Sequence, residues 1–116
     1  MPDLTLKQND TGRPVRAQLT QRDSSSPDPR AREAINLASA ISVALNLKSR
    51  NEQRFYSGPC TITDAVNGWV QWFPIDADVV SVPEVYMAEF EITWPDGPET
   101  IPNTGYYELE IEAELG

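Results

Sequence analysis

Between Tyr86 and Trp94, and again between Tyr107 and Leu115, apolar residues at every second position alternate with residues that, Met87 apart, are polar. In the first run Tyr86, Ala88, Phe90, Ile92 and Trp94 alternate with Met87, Glu89, Glu91 and Thr93. In the second, Tyr107, Leu109, Ile111, Ala113 and Leu115 alternate with Glu108, Glu110, Glu112 and Glu114. Successive strand side chains point to opposite faces of a sheet, so each run has one apolar face and one face of carboxylates and other polar groups. The pattern predicts an antiparallel hairpin with a buried side and a wet side. The proline-rich stretch 95–105 between the runs is expected to form a long hairpin arm.

The same alternation marks the other elements. Leu4 and Leu6 open the chain and lead into the turn signal Asn9-Asp-Thr-Gly12. Val15, Ala17 and Leu19 follow as a second strand, which Pro14 places at an edge or bulge because proline has no amide hydrogen to donate. Residues 21–34, with their run of serine and proline, are expected as an exposed loop, and residues 31–40 as a short helical turn at most. Ile41, Val43, Leu45 and Leu47 define a clear strand, and Phe55 to Thr63 a weaker one broken by Gly58-Pro59. Asn67-Gly68 signals a tight turn before the strand Trp69-Val-Gln-Trp-Phe73, and Asp76 to Glu84 is a loop.

About seven short strands, spaced roughly 8 to 15 residues apart, indicate an all-β, immunoglobulin-like antiparallel sandwich forming one domain over residues 1–116. Its expected core is Leu19, Ile41, Val43, Leu45, Val70, Trp72, Tyr86, Phe90, Ile92, Leu109 and Ile111. Tyr86 opens a strand after a loop, where sandwiches set a tyrosine that ties loop to sheet. Trp72 and Trp94 fall in phase with the core faces, so all three have structural roles.

Composition narrows the function classes. A net charge of −9 disfavours nucleic acid and anionic membrane surfaces, both of which need clustered Lys and Arg. One cysteine, Cys60, cannot make an internal disulfide and suits a reducing compartment. The opening residues have no secretory pattern, and no apolar run approaches the ~20 residues that span a bilayer, so a soluble protein made in the cytoplasm is expected.

With no histidine, the chain lacks the commonest general base and the commonest transition-metal ligand. No zinc site, Ser-His-Asp or Cys-His arrangement, or phosphate-cradling glycine loop can be assembled, so no catalytic, metal or cofactor residues are expected. The loop acids Asp64, Asp76, Asp78, Asp96 and Glu99 lack calcium-loop spacing and read as solvated acids. Glu108, Glu110, Glu112 and Glu114 form a stripe that serves either as a docking face for a basic partner or as charge protecting a strand edge. Among the aromatics, Trp69 is the one whose phase leaves it open as a stacking platform for sugars.

Three segments together resemble the N-terminal domain of phage baseplate upper proteins. They are Leu6-Lys-Gln-Asn-Asp-Thr-Gly-Arg-Pro-Val-Arg-Ala-Gln-Leu19; Ile35-Asn-Leu-Ala-Ser-Ala-Ile-Ser-Val-Ala-Leu-Asn-Leu47; and Trp69-Val-Gln-Trp-Phe-Pro with Asp76-Ala-Asp78, Tyr86-Met-Ala-Glu-Phe-Glu-Ile-Thr-Trp-Pro-Asp-Gly97 and Thr100-Ile-Pro-Asn103. The likeness runs in order over nearly the whole chain. It departs at Ala38-Ser39, where the family tends to have Thr-Gly, and in the longer serine-rich loop.

The resemblance implies a non-enzymatic virion module of a tailed bacteriophage, without cofactor and without a receptor-binding extension. Its expected partners are other tail, baseplate or capsid proteins and copies of itself in a symmetric homo-oligomer. The expected contact residues are Leu4 and Leu6, on a segment able to add to a neighbour's sheet edge, and Asp96, Glu99, Ile101 and Asn103 on the hairpin arm. Two alternatives stand beside a minor tail or baseplate subunit. One is a capsid decoration protein; the other is an accessory carbohydrate-binding sandwich that uses Trp69 and loop acids for host adhesion.

Overall fold

Alternating apolar residues with polar partners produce strands and nothing else. The computed structural model describes residues 4–7, 14–50, 55–73, 83–102 and 105–113, and every regular element within them is a strand. In chain order these are β1 (Leu4–Lys7), β2 (Val15–Gln18), β3 (Thr20–Arg22), β4 (Arg32–Ala34), β5 (Ser42–Ser49), β6 (Phe55–Asp64), β7 (Trp69–Trp72), β8 (Glu84–Trp94), β9 (Gly97–Ile101) and β10 (Tyr107–Glu112). The larger layer runs β1-β10-β8-β5-β6, with β9 beside the far half of β8. The smaller runs β6-β7-β2, and β3 and β4 form a separate ribbon. Strand β6 serves both layers: residues 55–60 pair with β5, and after them the strand pairs with β7. Pairing is antiparallel except where β1 lies parallel to β10. The chain is an all-β, immunoglobulin-like sandwich.

The layers close over one apolar core. Tyr86, Ala88, Phe90 and Ile92 of β8 are each no more than 2% exposed. Val43, Leu45 and Leu47 of β5 and Leu109 and Ile111 of β10 join them on the inner face. Leu6, Val15, Leu19, Ile35, Leu37, Val70, Trp72 and Ile101 complete the cluster. The Tyr86 ring meets Tyr56 edge-on, and Phe90 meets Tyr107 the same way, each with centroids 6.1 Å apart. Burying one such side chain contributes about 1.5–3 kcal/mol, so β8 with its row of large residues anchors the fold.

Gly68 closes the turn before β7 at φ +74°, a left-handed conformation that glycine adopts without strain. Its carbonyl accepts the Leu19 N–H at 2.8 Å, and the Leu19 carbonyl accepts the Ile35 N–H at 2.9 Å. The turn signal at Asn67-Gly68 thus fastens three segments together.

Several expectations need correction. Ile41 is 66% exposed: it lies one residue before β5, at the rim, where the alternation continues but nothing covers it. The stretch 21–34 is a loop only at its centre. β3 and β4 pair at both ends of it, Arg32 Nη2 donates to the Thr20 carbonyl at 2.7 Å, and Asp23 Oδ1 accepts the Ser25 N–H at 3.0 Å. No helical turn forms between 31 and 40; Asn36 Oδ1 caps the Ala38 N–H at 2.9 Å instead. The hairpin arm is largely strand, since β9 pairs with β8 from Gly97↔Trp94 to Ile101↔Phe90. β10 is no sheet edge, because β1 covers its outer side. The turn expected at 9–12 and the loop acids Asp76 and Asp78 lie outside the described residues.

Candidate functional site

The β8–β9 hairpin carries most of the expected contact residues, and the register decides which of them can touch anything. Trp94 pairs with Gly97, leaving Pro95 and Asp96 as the turn. Gly97 holds φ +143°, a conformation L side chains rarely adopt, which fits its place beside so tight a connection. Asp96 is exposed at the tip, with Pro98 and Thr100 exposed behind it. Glu99 is half-buried, and its Oε1 accepts the Trp94 indole Nε1–H at 2.9 Å. That bond ties the two strands together on one face.

Ile101 pairs with Phe90 and is 1% exposed, so it is a core residue and cannot meet a neighbour. Leu6, 7% exposed, is likewise in the core, while Leu4 is half-buried; both sit on β1, which adds to this chain's own β10 rather than standing free. Asn103 lies outside the described residues. Of the expected contact residues, Asp96 presents the most open side chain. Tyr86 and Trp72 pack in the core and Trp94 against its edge, as their phase predicts.

A second group lies on the outer face of the smaller layer. Gln18 pairs with Trp69 between β2 and β7, and this register brings Arg16 beside Trp69, Thr63 and Asp64 around a shallow recess. Asn67 Nδ2 donates to Asp64 Oδ2 at 2.9 Å, and Gln18 Nε2 donates to the Asn67 carbonyl at 3.0 Å, so the polar rim is tied down. The half-buried Trp69 was a candidate on phase alone. Arg16 was missed because only the β2–β7 pairing reveals that it is a neighbour.

The outer face of the larger layer carries Glu89 and Glu91 of β8 and Glu108, Glu110 and Glu112 of β10. Arg50 Nη2 meets Glu108 Oε1 at 3.1 Å, an exposed pair that contributes on the order of 0.2–1 kcal/mol. These glutamates keep a sheet face wet; they do not blunt an edge. Among the described residues no cluster of Cys, Asp and Glu converges as a metal site. Cys60 is half-buried, and burial pushes its thiol pKa up to about 12.

No protein-family model and no curated protein matches the chain. Among solved structures, the chain is similar to CopC from Methylosinus trichosporium OB3b, at 9% sequence identity and a TM-score of 0.46. That alignment covers 100% of this chain and 89% of the other.

Proposed function

We propose that this chain is a non-enzymatic structural module of a tailed-bacteriophage virion, of the minor tail or baseplate kind, working through contacts with other virion proteins and with its own copies. One observation carries the reading. The wording from Ala88 to Ile101 that resembles the baseplate family lies on a single hairpin, β8–β9, whose inward residues build the core and whose tip holds Asp96 in the open. A sandwich with so short and rigid a projecting tip suits repeated docking in a symmetric assembly. Decoration of the head draws on the same features and is the variant within this class.

The test is to tag the chain and locate it in a reconstruction of the particle. Density at the tail or baseplate is the expected result; density on the head selects the variant, and absence from purified virions sinks the class.

The recess of Trp69, Arg16, Thr63 and Asp64 supports a second reading, an accessory sugar-binding sandwich, since an aromatic face beside fixed polar groups is what glycan recognition needs. Saturable glycan binding that disappears in Trp69→Ala would select it.

A further inference from the structure

β3 and β4 form a ribbon outside both layers, and residues 14–50, which contain it, are described without a break. Its register sets Arg22 directly opposite Arg32, and both are exposed. Opposite residues of an antiparallel pair share a face, so like charges stand together on one side, an arrangement that costs an isolated ribbon stability. Thr20 shares that side and holds Arg32, whose Nε donates to Thr20 Oγ1 at 3.3 Å and whose Nη2 donates to its carbonyl at 2.7 Å. The ribbon's own carboxylates are engaged elsewhere. Glu33 lies on the other side, where its Oε1 accepts Gln21 Nε2–H at 3.2 Å. Asp23 Oδ1 accepts the Ser25 N–H and hydroxyl, and Asp28 Oδ1 accepts the Arg30 N–H at 2.9 Å. Among the described residues no carboxylate pairs with Arg22 or Arg32.

The matching charges lie on the other layer. Glu89 and Glu91 alternate with the buried Ala88, Phe90 and Ile92 and so turn outward from β8. Their partners in register on β5 are the neutral Asn46 and Ala44. Glu110 stands on the next strand, β10, and since β1 covers that strand, edge protection does not account for it. Among the described residues none gives a hydrogen bond or an ion pair to these three glutamates. The ribbon continues from β2 of the smaller layer, whereas the glutamates are on the outer face of the larger, which points away from it.

We propose that the arginine side of the ribbon docks on the glutamate face of a second copy of this chain. Guanidinium groups meet carboxylates through paired, planar hydrogen bonds, and Glu89 and Glu91, two apart on one strand, offer two carboxylates to two arginines. Thr20 already holds Arg32, so less ordering remains to be done on docking. The chain's net charge of −9 opposes any close approach of copies, but at physiological salt that repulsion is screened beyond about 8 Å, leaving the local pairs to decide. A nucleic acid is the poorer occupant, because its phosphates would satisfy the arginines and leave the glutamates unmatched, whereas a second copy satisfies both. Because the two surfaces differ, the contact is head-to-tail and can repeat from copy to copy. The inference goes beyond the virion reading, whose contact is the Asp96 tip, and the two can fail separately.

The test is sedimentation of the full chain up to millimolar concentration. The parent is expected to associate reversibly. Arg22→Glu with Arg32→Glu is expected to weaken association about tenfold or more, and Glu89→Lys with Glu91→Lys to do the same, each variant keeping the parent's circular-dichroism spectrum. Mixing the two double variants brings together one intact ribbon and one intact face, and is expected to give heterodimers and nothing larger. A parent that stays monomeric overturns the proposal, as does association undiminished by either pair of reversals. So does a mixture of the two folded variants that fails to associate. If a short single-stranded oligonucleotide binds the parent through Arg22 and Arg32 while the copies stay apart, the ribbon serves nucleic acid and the proposal fails. Absence of the chain from purified virions would leave an association in solution standing, and a monomer in solution would leave a place in the virion standing.

Discussion

Trp94 reaches across the β8–β9 hairpin and gives its indole proton to Glu99 at 2.9 Å, so the exposed tip of that hairpin is braced by a partly buried bond just behind it. Removing the acceptor with Glu99→Ala is expected to cost about 1.5–3 kcal/mol, as for a hydrogen bond to a charged group. Glu99→Gln keeps an oxygen in place and is expected to lose less than half of that. Urea unfolding of both variants, with Trp94→Phe to complete a double-mutant cycle, reads the coupling. A coupling energy near zero would show that the contact braces nothing.

Gly68 is the least replaceable glycine described. An alanine there would hold φ at +74° and put its Cβ 2.7 Å from the Leu19 carbonyl oxygen and 2.8 Å from that of Ile35, both fixed backbone atoms. Gly68→Ala is expected to cost about 2–4 kcal/mol, from strain plus the displaced segments. Calorimetry checks this; a loss under about 0.5 kcal/mol would contradict the described turn.

Two hairpin positions separate core from contact. Ile101→Ala is expected to destabilise by about 2–4 kcal/mol through the cavity it leaves against Phe90. Asp96→Ala, at the exposed tip, is expected to stay within about 0.5 kcal/mol of the parent. In particle assembly the order should reverse, with Asp96→Lys impairing incorporation of a fully folded chain. Equal incorporation of Asp96→Lys and the parent would remove the tip from the interface.

Cys60 tests burial through pH. Its thiol pKa, raised to about 12, leaves almost no thiolate at pH 8, whereas an unfolded cysteine near ~8.5 is substantially ionised. Alkylation by iodoacetamide at pH 8 is expected to be more than about tenfold slower in the folded chain than in urea. Comparable rates would place the thiol in solvent.

Strand phase was legible wherever a run was long and both faces were filled. Tyr86 to Ile92 and Val43 to Leu47 face the core as their alternation says. Ile41 keeps the same phase yet lies outside, because phase reports a direction and not whether a second layer reaches that far. β9 was hidden by composition: Gly97 and the two prolines flanking Glu99-Thr-Ile101 read as loop, and only the pairing with β8 makes them a strand. Ile35 and Leu37 sit in an irregular segment with no period to announce their burial. At the candidate sites, sequence pointed to Trp69 and Asp96 singly. That Arg16 stands beside Trp69 and the loop acid Asp64 depends on which strands pair, and in what register.

Because β6 is hydrogen-bonded first into one layer and then into the other, the sandwich has no seam along that side. A conventional pair of sheets can slide or part by giving up only side-chain contacts. Here any separation must tear a single backbone ladder near Cys60 and Thr61, where one sheet hands the strand to the next. Force applied to either layer passes directly into the other.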